Sequence, residues 1–171
     1  DMKKVLVTGI SGFIGHQCAV ELLKNGYSVR GTVRDLGKKD EVINGIKKEI
    51  DPSDNLEFVN LDLLNDKGWD DAMKACDYVL HVASPFFMKE PSNEEEYTKP
   101  AYEGTIRVLN AAQKAKVKRI VLTSSVVTMM GKVFDSNEDS GIVNTESWTE
   151  ENSKNINTYM KSKTLAEKGA W

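Results

Sequence analysis

The sequence predicts an α/β fold, a doubly wound parallel sheet with helices on both faces. Short apolar runs alternate with longer amphipathic stretches along the 171 residues, which is the pattern of repeated strand–helix–strand units. Turn-forming pairs such as Asn25-Gly26 and Asp51-Pro52 separate these segments. A hydrophobic content of 40% with 29% charged residues is typical of one globular domain, so we assign residues 1–171 to a single domain.

The strands and helices follow from the periodicity of apolar residues. Val5-Leu-Val7 is a short buried strand, and Ile14, Cys18 and Leu22 recur on one face of the helix after it. Residues 129–155 have the polar, glycine-containing composition of loops. The predicted strands are residues 5–7, 28–33, 56–60, 78–82 and 119–123. The predicted helices are residues 13–25, 38–50, 67–75 and 94–115, with a last helix that starts near 157.

Five strands with these crossovers fit a Rossmann-like sheet of order 3-2-1-4-5. Ligands of such sheets bind at the carboxyl ends of the strands, where the order reverses between strands 1 and 4. A complete sheet of this kind has at least one strand more, and the last helical pattern reaches Trp171 without a C-cap. We therefore expect the chain to be truncated before a C-terminal substrate lobe.

Charge and cysteine content exclude several classes of protein. The net charge of −3 gives no basic field for nucleic acid or an anionic membrane, and no apolar run is long enough to span a bilayer. Cys18 and Cys76 lie in apolar surroundings without a metal-binding pattern. These features indicate a cytoplasmic protein that binds neither nucleic acid nor membranes.

Three glycines lie between the first strand and the first helix, with the spacing G-x-x-G-x-x-G. Gly9 allows a tight turn, Gly12 allows the backbone to approach a pyrophosphate, and Gly15 allows the helix to pack closely on the strand. The amides of the helix N-terminus then face the phosphates. The loop predicts a dinucleotide site, although three glycines in such a loop also occur for purely structural reasons.

The end of the second strand indicates which dinucleotide binds. Arg34 occupies the position at which NADP sites place a positive charge for the 2′-phosphate, and Lys38 and Lys39 follow it. Asp35 offers the alternative of a ribose-binding acid, as in NAD sites. We favour NADP(H).

Asp62, after the third strand, is open to two interpretations. Its carboxylate can accept a hydrogen bond from the adenine amino group, or it can serve as a helix cap or turn residue. After the fourth strand, the small residues of Val82-Ala-Ser84 leave room for the ribose and phosphates. We interpret His16 and His81 as structural residues.

Tyr159 and Lys163 form the predicted acid–base pair. They are four residues apart, so on a helix they share one face. A free phenol has a pKa of about 10, and a nearby ammonium and an oxidised nicotinamide both favour the phenolate. Tyr159 could then protonate a carbonyl oxygen as hydride reaches the carbon, while Lys163 holds the nicotinamide ribose.

A hydroxyl group at the end of the fifth strand could polarise the substrate carbonyl. Thr123-Ser-Ser125 lies at the same rim of the sheet as the other candidates. A serine there can also be a simple helix cap or turn residue.

The motifs taken together resemble the extended short-chain dehydrogenase/reductases, and in particular the dihydroflavonol 4-reductase-like group. The resemblance covers essentially the whole chain. The motifs are Thr8-Gly-Ile-Ser-Gly-Phe-Ile-Gly15, Thr32-Val-Arg-Asp35, His81-Val-Ala-Ser-Pro-Phe86, Glu103-Gly-Thr105, Leu122-Thr-Ser-Ser125 and Tyr159-Met-Lys-Ser-Lys-Thr-Leu-Ala-Glu167.

This resemblance implies an NADP(H)-dependent carbonyl reductase with a Ser-Tyr-Lys triad acting on a small aldehyde or ketone. By position the triad is Ser125, Tyr159 and Lys163, with Ser125 preferred over Ser124. The cofactor contacts that we predict are Gly9, Gly12, Phe13, Ile14, Gly15, Arg34, Lys39, Asp62, Leu63, Val82, Ala83, Ser84, Tyr159 and Lys163.

The resemblance has two departures and leaves two alternatives open. Family members are about twice as long, and Met130 stands where plant dihydroflavonol reductases have a flavonoid-contacting Asn, which argues against a flavonoid substrate. A non-catalytic NADP-binding sensor and an NAD-dependent nucleotide-sugar epimerase or dehydratase are the alternatives.

Overall fold

The computed structural model describes residues 2–84, 91–131, 133 and 142–171. Within these ranges five parallel strands form one sheet of order β3-β2-β1-β4-β5, as predicted. The strands are β1 (Lys4–Thr8), β2 (Ser28–Val33), β3 (Leu56–Asn60), β4 (Tyr78–His81) and β5 (Arg119–Leu122). The helices of the described residues used below are α1 (Phe13–Lys24), α2 (Lys39–Ile46), α3 (Trp69–Met73), α4 (Glu95–Lys114) and α5 (Thr158–Ala170).

The chain divides into two compact units. The first unit contains the residues up to Ala83 together with Arg107–Thr123, and so holds the whole sheet. The second contains Ser84–Ile106 and Ser124–Trp171. Helix α4 contributes its beginning to the second unit and its end to the first.

Both faces of the sheet are covered by apolar side chains, as expected of a doubly wound fold. Val5 and Val7 point to one face and Leu6 to the other, because side chains alternate along a strand. The first face packs on α1 and α2 through Ala19, Val20, Val42 and Ile46. The second packs on α3 and the end of α4 through Trp69, Met73, Val108 and Ala112.

Two helices are shorter than the sequence predicts. Helix α2 ends at Ile46 rather than at residue 50, because the amide of Lys48 donates to the carbonyl of Gly45, only three residues back. Helix α3 begins after Gly68, whose φ of 88° is left-handed, and ends before the extended Lys74. Arg30 donates to the Lys74 carbonyl at 2.8 Å, which satisfies one of the groups left open beyond the helix end.

Both cysteines are free thiols. Cys18 is half-buried and Cys76 is buried, and burial raises the pKa of each thiol. No helix among the described residues combines the length and the apolarity that crossing a bilayer requires.

Candidate cofactor site and catalytic residues

The glycine loop leaves no space for side chains at its two ends. Gly9 has a φ of 69°, a left-handed conformation that favours glycine. A methyl group on Gly15 would lie 2.2 Å from the Gly9 carbonyl oxygen, so any larger residue there would push α1 away from β1. The amide of Gly12 donates to the same carbonyl at 3.0 Å. The roles predicted for Gly9 as a tight turn and Gly15 as a packing contact agree with this geometry.

The start of α1 is open to a ligand. Gly12 precedes the helix and provides no side-chain cap. The first amides of a helix have no partner within it, so they are available to a phosphate. Phe13 is 93% exposed and Ile14 is 52% exposed, although both are large apolar residues. Apolar side chains beside open amides fit a loop that is covered when a dinucleotide binds.

The Thr8 hydroxyl ties β1 to the segment after β4. It accepts hydrogen bonds from the amides of Val82 and Ala83, both at 2.9 Å, and lies 2.8 Å from Nδ1 of His81. A hydroxyl has one proton and two lone pairs. Because both lone pairs are used, the proton must go to Nδ1, so His81 carries its own ring proton on Nε2.

Thr32 supports the loop in a similar way, since its hydroxyl accepts a hydrogen bond from the Gly9 amide at 3.1 Å. The sequence analysis missed Thr8 and Thr32. The available signal was a threonine at the end of each central strand, a weak one because β-branched residues are common in strands.

The loop and the predicted ribose-lining segment are brought together. A methyl group on Gly9 would lie 3.1 Å from the Cα of Ala83, so the two backbones are nearly in contact. Ser84 begins the second unit. Pro85 and Phe86, which complete the motif, lie outside the described residues.

Arg34 and Asp35, the two candidates for contact with the adenosine ribose, differ in what they contact in the structure. The Asp35 carboxylate accepts a hydrogen bond from the Gly37 amide at 2.8 Å and thereby caps the 3-10 turn Leu36–Lys38. Arg34 is exposed at the end of β2. The Lys39 ammonium lies 5.9 Å from the centre of the Phe58 ring, a distance at which the ring face attracts a cation.

A groove of about 520 Å³ opens beside this segment, between the glycine loop and α2. It carries lysines, a histidine and hydrogen-bonding groups, so it suits an anionic or polar ligand. Its lining residues are Ser11, His16, Lys38, Glu41, Val42, Asn44, Gly45 and Lys48.

Asp62 has the turn role that was one of its two interpretations. Its carboxylate accepts a hydrogen bond from the Leu64 amide at 2.9 Å, which closes an Asx turn after β3. The residue is exposed, and the adenine contact stays a prediction. Leu63 is half-buried against the α3 side of the core.

The second unit carries the candidate catalytic residues. Helix α5 begins after Asn157, whose side chain accepts a hydrogen bond from the Met160 amide at 2.9 Å. Tyr159 and Lys163 both lie within this helix, so they share a face as predicted. The Tyr159 ring meets the buried Tyr97 ring edge to face, with centroids 6.3 Å apart.

Lys163 is only 7% exposed. Burial lowers the pKa of its ammonium, and the negative charge of Glu167, one turn further along α5, opposes that effect. Lysine side chains are rarely this deeply buried in folded proteins.

The two serines after β5 have different partners. The Ser124 hydroxyl donates to the Glu167 carboxylate. The Ser125 hydroxyl accepts a long hydrogen bond, of 3.4 Å, from the Val127 amide at the start of the 3-10 turn Val126–Thr128. Ser125 therefore has the less committed hydroxyl, and its catalytic role stays a prediction.

Thr149 fixes the segment that follows Ser125, and the sequence analysis did not single it out. The hydroxyl of Thr149 donates to the Val127 carbonyl at 2.6 Å and accepts from the Gly131 amide at 2.8 Å. A single threonine in a polar loop is too common for the sequence to indicate these contacts. Among the described residues no group of His, Cys, Asp and Glu side chains could hold a metal ion.

Comparison with known proteins places these features in context. The model of the NAD dependent epimerase/dehydratase family matches residues 5–171. The chain is 39% identical to tetraketide alpha-pyrone reductase 1 of Arabidopsis thaliana, covering 98% of this chain and 52% of that protein. It is 37% identical to dihydroflavonol 4-reductase of the same plant, covering 98% of this chain and 44% of that protein. The chain thus spans about half the length of the curated relatives it matches.

Among solved structures, the chain is similar to yeast methylglyoxal/isovaleraldehyde reductase Gre2 complexed with NADPH. The TM-score is 0.84 at 28% identity, and the match covers 98% of this chain and 52% of the other.

Proposed function

This chain belongs to the NAD-dependent epimerase/dehydratase family, the extended short-chain dehydrogenase/reductases, and from that premise we propose that it is the cofactor-binding part of an NADPH-dependent carbonyl reductase. The reaction converts an aldehyde or ketone to an alcohol. When bound, NADPH supplies the hydride that reaches the carbonyl carbon. The protein's own residues bind the dinucleotide, orient the carbonyl and move the proton.

The observation that carries the choice of NADPH is the contrast between Arg34 and Asp35. The Asp35 carboxylate is engaged with the Gly37 amide, whereas a ribose-binding acid needs its oxygens directed at the 2′-hydroxyl. Arg34 is exposed and its guanidinium can form a bidentate contact with a phosphate. The similarity to Gre2, whose structure contains NADPH, supports the same choice.

The dinucleotide fits the first unit. Glycine at positions 9 and 15 allows the tight, closely packed turn of a phosphate loop. The open start of α1 offers amides to the pyrophosphate. Val82 and Ala83, held by Thr8, line the path of the nicotinamide ribose.

The proton is moved by residues of the second unit. Tyr159 donates its phenolic proton to the carbonyl oxygen as the carbon is reduced, and the phenolate regains a proton from solvent. Lys163 stabilises the phenolate by its positive charge and holds the ribose hydroxyls, and Ser125 donates a hydrogen bond to the carbonyl. The shared face of Tyr159 and Lys163 on α5 supports this assignment.

The substrate that we propose is a small aldehyde or ketone. Gre2 reduces methylglyoxal and isovaleraldehyde according to its name, and both are small carbonyl compounds. Met130 replaces the flavonoid-contacting amide of plant dihydroflavonol reductases with an apolar side chain, which disfavours a polyhydroxylated substrate.

The catalytic assignment is tested with Tyr159→Phe in the whole protein that contains this chain. We expect kcat for NADPH oxidation to fall about 10²–10⁴-fold, because the proton donor is lost, while NADPH affinity stays nearly unchanged. Tyr102→Phe, which removes a hydroxyl from an exposed tyrosine of α4, is the control and keeps full activity. Full activity of Tyr159→Phe would refute the triad.

The cofactor assignment is tested by titrating Arg34→Ala with NADPH and with NADH. NADPH affinity should fall by about tenfold or more, since a charged hydrogen bond to the 2′-phosphate is lost, and NADH affinity should change little. Arg119→Ala, another exposed arginine, is the control. Equal losses for both cofactors would instead favour an NAD-dependent epimerase or dehydratase, the activity in the family's description.

A further inference from the structure

We propose that β3 contributes to the choice between NADPH and NADH, because the side chain of Asn60 holds the backbone of Arg34 and so orients its guanidinium toward the 2′-phosphate. Asn60 is a positioning residue in this arrangement and does not itself touch the cofactor. The inference rests on the proposed role of Arg34.

Asn60 extends the pairing of β2 and β3 by one residue. The last paired residues of these strands are Val33 and Asn60. Beyond them the Asn60 amide nitrogen donates to the Arg34 carbonyl at 2.8 Å, and it lies 3.3 Å from the Val33 carbonyl. An amide nitrogen has two protons, so one side chain serves both carbonyls. Arg34 is therefore held although it lies outside the strand.

The segment after Arg34 is fixed at its next residue as well. The Asp35 carboxylate caps the 3-10 turn through the Gly37 amide at 2.8 Å. Arg34 thus lies between a backbone clamp from β3 and a closed turn, and its Cα–Cβ direction is set on both sides. The starting point of the Arg34 side chain is therefore fixed before a phosphate arrives, and only the side chain's own rotations are left to be ordered on binding.

Phe58 extends the same support to the second cation. It lies two residues before Asn60, on the same face of β3, and packs on the core beneath α2. Its ring lies under the Lys39 ammonium, 5.9 Å away. One face of β3 therefore supports the positive charges at both ends of residues 34–39.

This arrangement affects only one of the two cofactors. A clamp that preorganises a side chain improves affinity for the group that the side chain contacts, because less conformational freedom is lost on binding. The 2′-phosphate is present in NADPH and absent from NADH. Loosening Arg34 should therefore weaken NADPH selectively.

The test is a set of titrations of the 171-residue chain with NADPH and NADH. In Asn60→Ala the dissociation constant for NADPH should rise about three- to tenfold, the worth of about one hydrogen bond, with NADH within about twofold. Asn60→Asp, which keeps the shape but not the donor, should lose at least as much. Asn110→Ala, an exposed asparagine of α4, is the matched control.

A double variant separates this inference from the proposed function. If Asn60 acts through Arg34, Asn60→Ala should have no further effect on NADPH in an Arg34→Ala background. If Arg34→Ala shifts the NADPH to NADH ratio but Asn60→Ala weakens both cofactors equally, the inference is wrong and the proposed function stands. If Arg34→Ala leaves the ratio unchanged, the proposed 2′-phosphate contact is wrong and the inference fails with it.

Discussion

Among single residues, Thr8 joins the end of β1 to the segment after β4 through one side-chain hydroxyl. One hydroxyl satisfies the amides of Val82 and Ala83 and sets the tautomer of His81. From the sequence, Thr8 is only the first residue of the glycine-loop motif, just after the predicted strand 5–7, and His81 is interpreted as structural. Their joint role depends on contacts more than 70 residues apart in the chain, which local patterns do not contain.

We expect Thr8→Val to destabilise the protein by about 2–5 kcal/mol. Valine keeps the shape but removes the partner of two amides and a ring nitrogen. A fully buried unsatisfied group costs about 1–3 kcal/mol, and because the two amides are only part-buried, water offsets some of the sum. Urea unfolding measures the loss. Thr8→Ser keeps the hydroxyl and should lose clearly less stability. Equal losses of stability in the two variants would mean that packing, and not the hydrogen bonds, accounts for the effect.

Single candidate residues were predictable to different degrees. Gly9 and Gly15 were predictable because their backbone geometry excludes other residues. The roles of Asp35 and Asp62 were not predictable, since an aspartate at either position can bind a ligand or close a turn. The structure shows the turn contact in both cases.

At the scale of secondary-structure elements, the starts of three strands meet at Asp77. Its carboxylate accepts from the Lys4 amide at 3.0 Å and from the Lys118 ammonium at 2.7 Å, residues that begin β1 and precede β5. The Lys118 contact is the main cause that lowers the Asp77 pKa to about 2. Asp77 itself immediately precedes β4, so one carboxylate joins three neighbours in the sheet.

This pKa predicts how stability depends on acid. A carboxyl group with a lowered pKa in the folded state stabilises it above its usual pKa of about 4, and that contribution is lost as the pH falls toward about 2. The melting temperature of Asp77→Asn should therefore lie below that of the wild type at pH 6, with a gap that narrows between about pH 4 and pH 2. A gap independent of pH would contradict this.

The start of α5 depends on its cap. Asn157→Ala should remove the bond to the Met160 amide and destabilise the helix start by about 1 kcal/mol. Because Tyr159 lies in the first turn, the activity of the whole protein should fall as well. Asn157→Asp keeps the accepting oxygen and should retain most of both stability and activity, as followed by thermal unfolding and NADPH oxidation.

Strands were easier to predict than helix ends. All five strands lie within a residue or so of their predicted bounds, since short apolar runs between turns leave few choices. Helix α2 ended early because the hydrogen bonds after Ile46 tighten to a three-residue spacing where Lys47 and Lys48 are exposed, although Ile50 still packs on the core. Helix α3 is short because Gly68 and Lys74 adopt non-helical backbone conformations. Neither glycine nor lysine requires such a conformation, so the sequence did not indicate these ends.

At the scale of the whole molecule, cofactor binding should couple to unfolding. A ligand that binds only the folded state stabilises it by about 2.7 kcal/mol at a hundred times its dissociation constant. We expect NADPH to raise the melting temperature of the chain more than NADH does at equal concentration. In Arg34→Ala this difference should disappear while the melting temperature without ligand stays the same, because Arg34 is exposed.

The two covered thiols make the protein suitable for selective labelling. Maleimides react with thiolates, and burial keeps Cys18 and Cys76 protonated at neutral pH. A cysteine introduced at an exposed site outside the glycine loop, such as Asn44 of α2, which lines the groove, would then react first. A fluorophore attached there could report dinucleotide binding in real time without removing either native cysteine.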